Sequence, residues 1–147
     1  MYLKSKKMET WILYALLSMF FAGVTSIFAK YGLEGINADL GLVIRTSIIF
    51  VLVMITGFWG DSFSDIPLLT RKHIFLLVAS GITAYLSWLY YFRALKDGLV
   101  TYVATIDKAS IVVTLALSFI LLREPLSAKI LLGGGLVLAG MLVIVWK

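Results

Sequence analysis

Apolar residues along the 147-residue chain gather into five long runs, at 10–31, 40–60, 73–95, 99–122 and 128–146. Each run is continuous rather than alternating. As helices they would extend about 28–36 Å at ~1.5 Å per residue, which matches the ~30 Å hydrocarbon core of a bilayer. They are too long for the ~9–11-residue strands of a membrane barrel and lack the two-residue alternation such strands need. The breaks between runs are brief: 32–39, 61–72 with Pro67, 96–98, and 123–127 with Pro125. None has room for a soluble domain, and no internal repeat stands out. The pattern predicts an all-α membrane protein, a single five-helix transmembrane domain over 1–147. Lys4, Lys6 and Lys7 before the first run resemble the start of a signal peptide. The apolar stretch is too long for one and no small-x-small cleavage site follows, so this run is expected to stay as an anchor.

The fourth run contains a conflict. Its uninterrupted apolar part, 109–122, is 14 residues long and as a helix reaches only about 21 Å. To span, the helix must begin earlier and carry the neighbours Asp107 and Lys108 into the bilayer. A charge at that depth costs a few kcal/mol, so such residues usually face a bundle interior, a partner or a watery path. Positions 107, 110, 114 and 118 share a helical face and hold Asp107, Ser110, Thr114 and Ser118. Ser80, Thr83, Ser87 and Tyr91 make a similar stripe on the third run. Any one hydroxyl can bond its own i−4 carbonyl, but two stripes on successive helices, one with an acid, point to a polar path.

Composition agrees with the pattern. Apolar residues make up 61% of the chain and charged ones 14%, and the mean hydropathy is +1.02, which a soluble domain of this size could not sustain. The formal charge of +5 is scattered between apolar runs, forming no patch for nucleic acid. There is no cysteine, so thiolate chemistry and disulfides are excluded. Lone His73 at a membrane boundary has no companion ligands, and no Ser-His or acid-base constellation supports an enzyme. No metal and no cofactor is implied.

The basic residues bear instead on topology. An odd number of spans puts the termini on opposite sides. With the N-terminus in the cytoplasm, the inner side collects seven of the 13 basic residues, and the outer side six, or four with the embedded Arg45 and Lys108 set aside. The bias favours N-in only weakly and leaves room for insertion in both orientations. The same arrangement puts Lys30, Arg45, Arg93, Asp107 and Lys108 in one half of the membrane, with Asp107 about 12 Å deep. Lys30, Arg45 and Arg93 can snorkel to the headgroups, whereas the short Asp107 cannot. Its expected partner is Lys108, Arg45 or Lys30. Packing candidates are Ala22 and Ser26 on the first helix, in step with Lys30, and Gly135 and Ala139 on the last, at the small-xxx-small spacing that permits close helix approach.

Three segments carry a family resemblance: FFAGVTSIFAKYGLEGINADLGLVIRTSIIF, YYFRALKDGLVTYVATIDKASIVVTLALSFILLREPLS and LLGGGLVLAGMLVIV. Together they resemble one EamA-type repeat of the drug/metabolite transporter superfamily, from about Trp11 to Trp146. The most specific pieces are the turn from Ala94 to Gly98, the IDKAS segment around Asp107, and the REPLS loop before the glycine-rich last helix. Five spans are similar to the short bacterial and archaeal members. The resemblance implies export or exchange of small metabolites across a cytoplasmic membrane, and larger relatives hold two such repeats, inverted, around a substrate cavity. A single repeat reproduces that symmetry only by pairing with an oppositely inserted copy or a homologous half. The expectation is therefore a secondary transporter working as a dimer, with Asp107, Lys108, Arg45, Lys30, Ser110, Thr114, Ser87 and Tyr91 as its substrate- or ion-binding residues. The competing expectation is a non-transporting membrane subunit whose charges are structural pairs.

Overall fold

The computed structural model describes residues 2–125 and 127–146, with side chains from Thr10 onward. The described residues form helices and turns without a strand. Five stretches are long and apolar enough to cross a membrane: Thr10–Gly32, Ala38–Trp59, Arg71–Asp97, Val100–Leu121 and Ala128–Val145. These are the five runs of the sequence, with ends displaced by a residue or two. The chain divides into two compact units, Met1–Lys96 and Asp97–Lys147.

The first unit holds α1 (Tyr2–Gly32), α2 (Ala38–Trp59), a short 3-10 turn (Ser62–Leu68) and α3 (Arg71–Asp97). The turn between α1 and α2 uses Gly35 at φ +75, a left-handed conformation that costs glycine nothing. Asn37 then caps α2 by accepting from the Asp39 N–H at 2.7 Å. At the far end of α2 the chain reverses through Asp61 at φ 52, and Phe63 of the 3-10 turn folds back on Phe58 with ring centroids 4.8 Å apart. Contacts between α1 and α3 keep one offset, Ser26 with Tyr91 and Lys30 with Leu95, so these two helices run parallel. Contacts between α2 and α3 run the opposite way, Asp39 with Arg93 and Arg45 with Trp88, so α2 is antiparallel to both.

Among the described residues the buried apolar side chains are Leu33, Ala38, Leu42, Phe92 and Leu95. All five lie at the end of the unit where α1 turns into α2. Gly41 belongs to this cluster, because a Cβ there would strike Leu33 Cδ2, and Leu33, 2% exposed, would have to leave its packed position to admit it. A Gly-to-Ala change within a helix ordinarily gains about 1 kcal/mol. Gly41→Ala is expected to reverse that sign and cost about 1–2 kcal/mol net through overpacking. Gly23→Ala and Gly81→Ala, where an added Cβ meets nothing within 4 Å, are expected to be neutral or stabilising. Thermal unfolding of the three purified variants in one detergent checks the contrast.

The second unit holds α4 (Val100–Lys108), α5 (Ser110–Leu121) and α6 (Ala128–Val145). Ser127 caps α6, its hydroxyl accepting from the Ile130 N–H at 3.2 Å. α6 packs against both α4 and α5. The fourth run was expected as one helix over 99–122, yet it is two segments in one span. Ala109 donates to Ile106 and Val112 donates to Ala109, each at 3.0 Å. These three-residue bonds replace the usual four-residue ones and tighten the turn. Thr105 and Thr114 flank it with hydroxyls bonded to the carbonyls of Thr101 and Ser110, a habit that bends helices.

Candidate functional site

Polar side chains in the first unit are organised by the α1–α3 seam. Ser26 and Lys30 lie one turn apart on α1, as do Tyr91 and Leu95 on α3. The Tyr91 hydroxyl donates to Ser26 Oγ at 2.8 Å, and Ser26 in turn donates to the Ala22 carbonyl at 3.0 Å. Lys30 Nζ donates to the Leu95 and Lys96 carbonyls at 2.8 and 3.0 Å. Lys96 reciprocates, its ammonium donating to the Leu33 carbonyl at 3.1 Å and to that of Ile36. Lys30 thus caps the carboxyl end of α3, where orphan carbonyls and the helix dipole both favour a cation, and Lys96 ties down the turn that follows α1. The small-residue face expected to carry Lys30 does meet another helix. Its lysine is engaged with backbone carbonyls rather than extended alone toward the headgroups.

Arg93 is paired as well. Its Nε and Nη2 donate to the two Asp39 carboxylate oxygens at 3.0 and 2.9 Å, a two-pronged match of planar groups that fixes α2 against α3. Both side chains are about half exposed, 53% and 51%. Of the stripe expected on α3, Tyr91 alone makes a recorded bond to another helix. Thr83 bonds back to the Ala79 and Ser80 carbonyls, and Ser87 is exposed.

Arg45 has a different environment. Its guanidinium carbon lies 4.6 Å from the Trp88 ring centroid and 5.3 Å from that of Phe92, within the range at which an aromatic face attracts a cation. It borders a groove of about 420 Å³ whose other walls are largely apolar, among them Phe28, Ala29, Ile44 and Ile48. No carboxylate of this unit, among the described residues, pairs with Arg45.

In the second unit Lys108 Nζ donates to Asp107 Oδ2 at 3.1 Å. Asp107 is the more sheltered partner, with its side chain 36% exposed against 60% for Lys108. The pair ends α4 directly before the tightened turn at Ala109, and Ser110 opens α5 just beyond it. Thr114 donates to the Ser110 carbonyl at 3.1 Å. On α6 the helix contact falls on Gly134, where a Cβ would lie 2.9 Å from Leu115 Cδ1. Gly135 has nothing within 4 Å, and it and Ala139 are exposed on the single chain.

Reading the sequence alone missed Asp39, Trp88 and Lys96. Asp39 had a usable signal, an acid in the first turn of a helix that begins just after a turn. Trp88 gave none beyond its place in an apolar run, and Lys96 stood only as a charge in the break 96–98.

Comparison with known proteins bears on what this arrangement does. Residues 9–146 match the model of the EamA-like transporter family. A protein of Sinorhizobium sp. described as an "Uncharacterized transporter in cobO 3'region" is 40% identical over 140 residues, covering 92% of this chain and 96% of that one. No solved structure matches. With nearly its whole length matched, the chain belongs to the EamA-like transporter family and is a multi-pass integral membrane protein.

Proposed function

We propose that the protein is a secondary transporter of small metabolites, and that Asp107 is its ion- or proton-responsive group with Lys108 as the local partner. Membership of a transporter family gives the class. The observation that carries the assignment of the site is the interruption of the fourth span beside the ion pair. Discontinuous membrane helices are a recurrent way of holding ions and charged substrates near the midplane, because the broken turn offers backbone dipoles that a regular helix keeps to itself. Here the break at Ala109 adjoins the only acid within the fourth apolar run. Ser110 and Thr114 continue the same site into α5.

The working unit is a dimer of inverted copies. Gly135 and Ala139 are a small-residue face that is exposed on the single chain, and such faces suit close helix contact in lipid. The nearly even split of basic residues supports both insertions. Adding one or two Lys residues to a loop is therefore expected to shift the fraction of molecules with each orientation, as read by reporters fused to the two termini. Termini that keep fixed locations through those changes would remove the basis for an antiparallel pair.

Purified protein alone in liposomes tests transport itself. Solute movement dependent on an ion gradient supports the reading. Insertion without movement of any solute, in a screen of metabolites that includes every ligand found to raise the melting temperature, makes the chain a non-transporting subunit.

A further inference from the structure

We propose that the Arg45 groove is the binding site for the carboxylate of a small monocarboxylic solute with a compact apolar body. The inference names a substrate class for the transport reading and rests on it. Trp88 and Phe92 lie against the Arg45 guanidinium at 4.6 and 5.3 Å, and no oxygen among the described residues of this unit is recorded as accepting a hydrogen bond from it. Asp39, the acid nearest along α2, is fully engaged by Arg93. A guanidinium held against rings keeps N–H donors at its rim, and this fork matches the two oxygens of a carboxylate. A membrane-embedded cation with unused donors calls for an anionic acceptor.

Depth selects a solute over a phospholipid headgroup. Arg45 lies seven residues past Ala38, about 10 Å into α2, while Phe92 and Trp88 lie about 8 and 13 Å before the end of α3 at Asp97. Contact with both rings turns the guanidinium sideways onto α3 instead of along α2 toward its start, the direction in which a snorkelling arginine would meet a lipid phosphate. Phe28, Ala29, Ile44 and Ile48 then supply the apolar walls of the 420 Å³ groove, a volume in the range of small-molecule sites. The charge fixes the head of the ligand, and the walls select a ring or a branched chain as its body.

The probe is 2-naphthoate, with neutral 2-naphthamide as its isostere. Binding is measured by equilibrium dialysis on the full chain in phosphatidylcholine nanodiscs, with empty discs subtracted. The expected result is that 2-naphthoate binds at least about tenfold more tightly than 2-naphthamide, a preference worth ~1.4 kcal/mol. Arg45→Gln is expected to abolish that preference and Arg45→Lys to keep part of it. If Arg45→Gln does not fold, Ala29→Phe, which fills the groove and leaves the guanidinium in place, is expected to remove naphthoate binding. Equal binding of acid and amide overturns the proposal, as does naphthoate binding unchanged by Arg45→Gln or by Ala29→Phe. Displacement of naphthoate by phosphatidylglycerol in the disc assigns the site to lipid and also overturns it. Arg45-dependent binding without movement of any solute in liposomes would sink the transport reading and leave the site standing. Solute movement without naphthoate binding would do the reverse.

Discussion

Asp107→Asn is expected to cut the rate of solute movement by about tenfold or more and to remove its response to pH, while the protein stays inserted and monodisperse. The substitution keeps the size and hydrogen bonding of the side chain and deletes its charge and titration. A tenfold loss corresponds to ~1.4 kcal/mol of charge-dependent interaction, well within what a membrane-embedded carboxylate supplies. If the acid serves only as a counter-ion for Lys108, 3.1 Å away, the same change strands the ammonium at a cost of a few kcal/mol. Stability then falls before activity does. Asp107→Asn combined with Lys108→Gln separates the two outcomes. A stable but inactive double variant assigns the pair to transport, and one that regains both stability and transport makes it structural. The readouts are counterflow in liposomes and size-exclusion profiles after heating.

Lys30→Met is expected to destabilise the first unit by about 2–4 kcal/mol. Its ammonium satisfies the Leu95 and Lys96 carbonyls, and a hydrogen bond to a charged group contributes ~1.5–3 kcal/mol. Methionine keeps the length and apolar stem of the lysine, so the loss reports on the donor alone. Lys96→Met removes the reciprocal cap on Leu33 and Ile36 and is expected to cost a similar amount. Because Lys30 holds the end of the helix that carries Lys96, and Lys96 holds the turn just after the helix that carries Lys30, the double variant is expected to lose less than the sum of the two. Thermal unfolding of the two single variants and the double variant closes the cycle. Additive losses would show that the caps work independently.

The spans were legible because lipid makes one demand of a crossing segment, a continuous apolar run of sufficient length, and the five runs meet it. The engagement of particular charges was harder to read. Lys30 and Arg93 were expected as interface anchors, since nothing in a linear pattern reveals a carbonyl 65 positions away or a carboxylate 54 positions away. Arg45 posed the same choice between reaching up to the headgroups and lying sideways, and two aromatic rings on α3 decided it. The break at Ala109 carries neither proline nor glycine. Hydroxyls of Thr105 and Thr114 flank it, but Thr25, Ser26, Ser47 and Thr83 make the same bond inside unbroken helices, so no residue type in the linear pattern marks the position. Three consecutive glycines on α6 offered several equivalent registers, and packing against Leu115 selected Gly134.

The buried side chains of the first unit have a mechanical consequence. Leu33, Ala38, Leu42, Phe92 and Leu95, together with the lysine caps beside them, fasten three rods at a single end. For a rod about 30 Å long, a tilt of about 10° at such a fulcrum carries the free end roughly 5 Å sideways. A side chain one third of the way along travels less than 2 Å by the same leverage. Arg45 and its rings, about 8–13 Å from the fastened end, would keep their geometry through such a swing, while the gap between the far ends would open and shut.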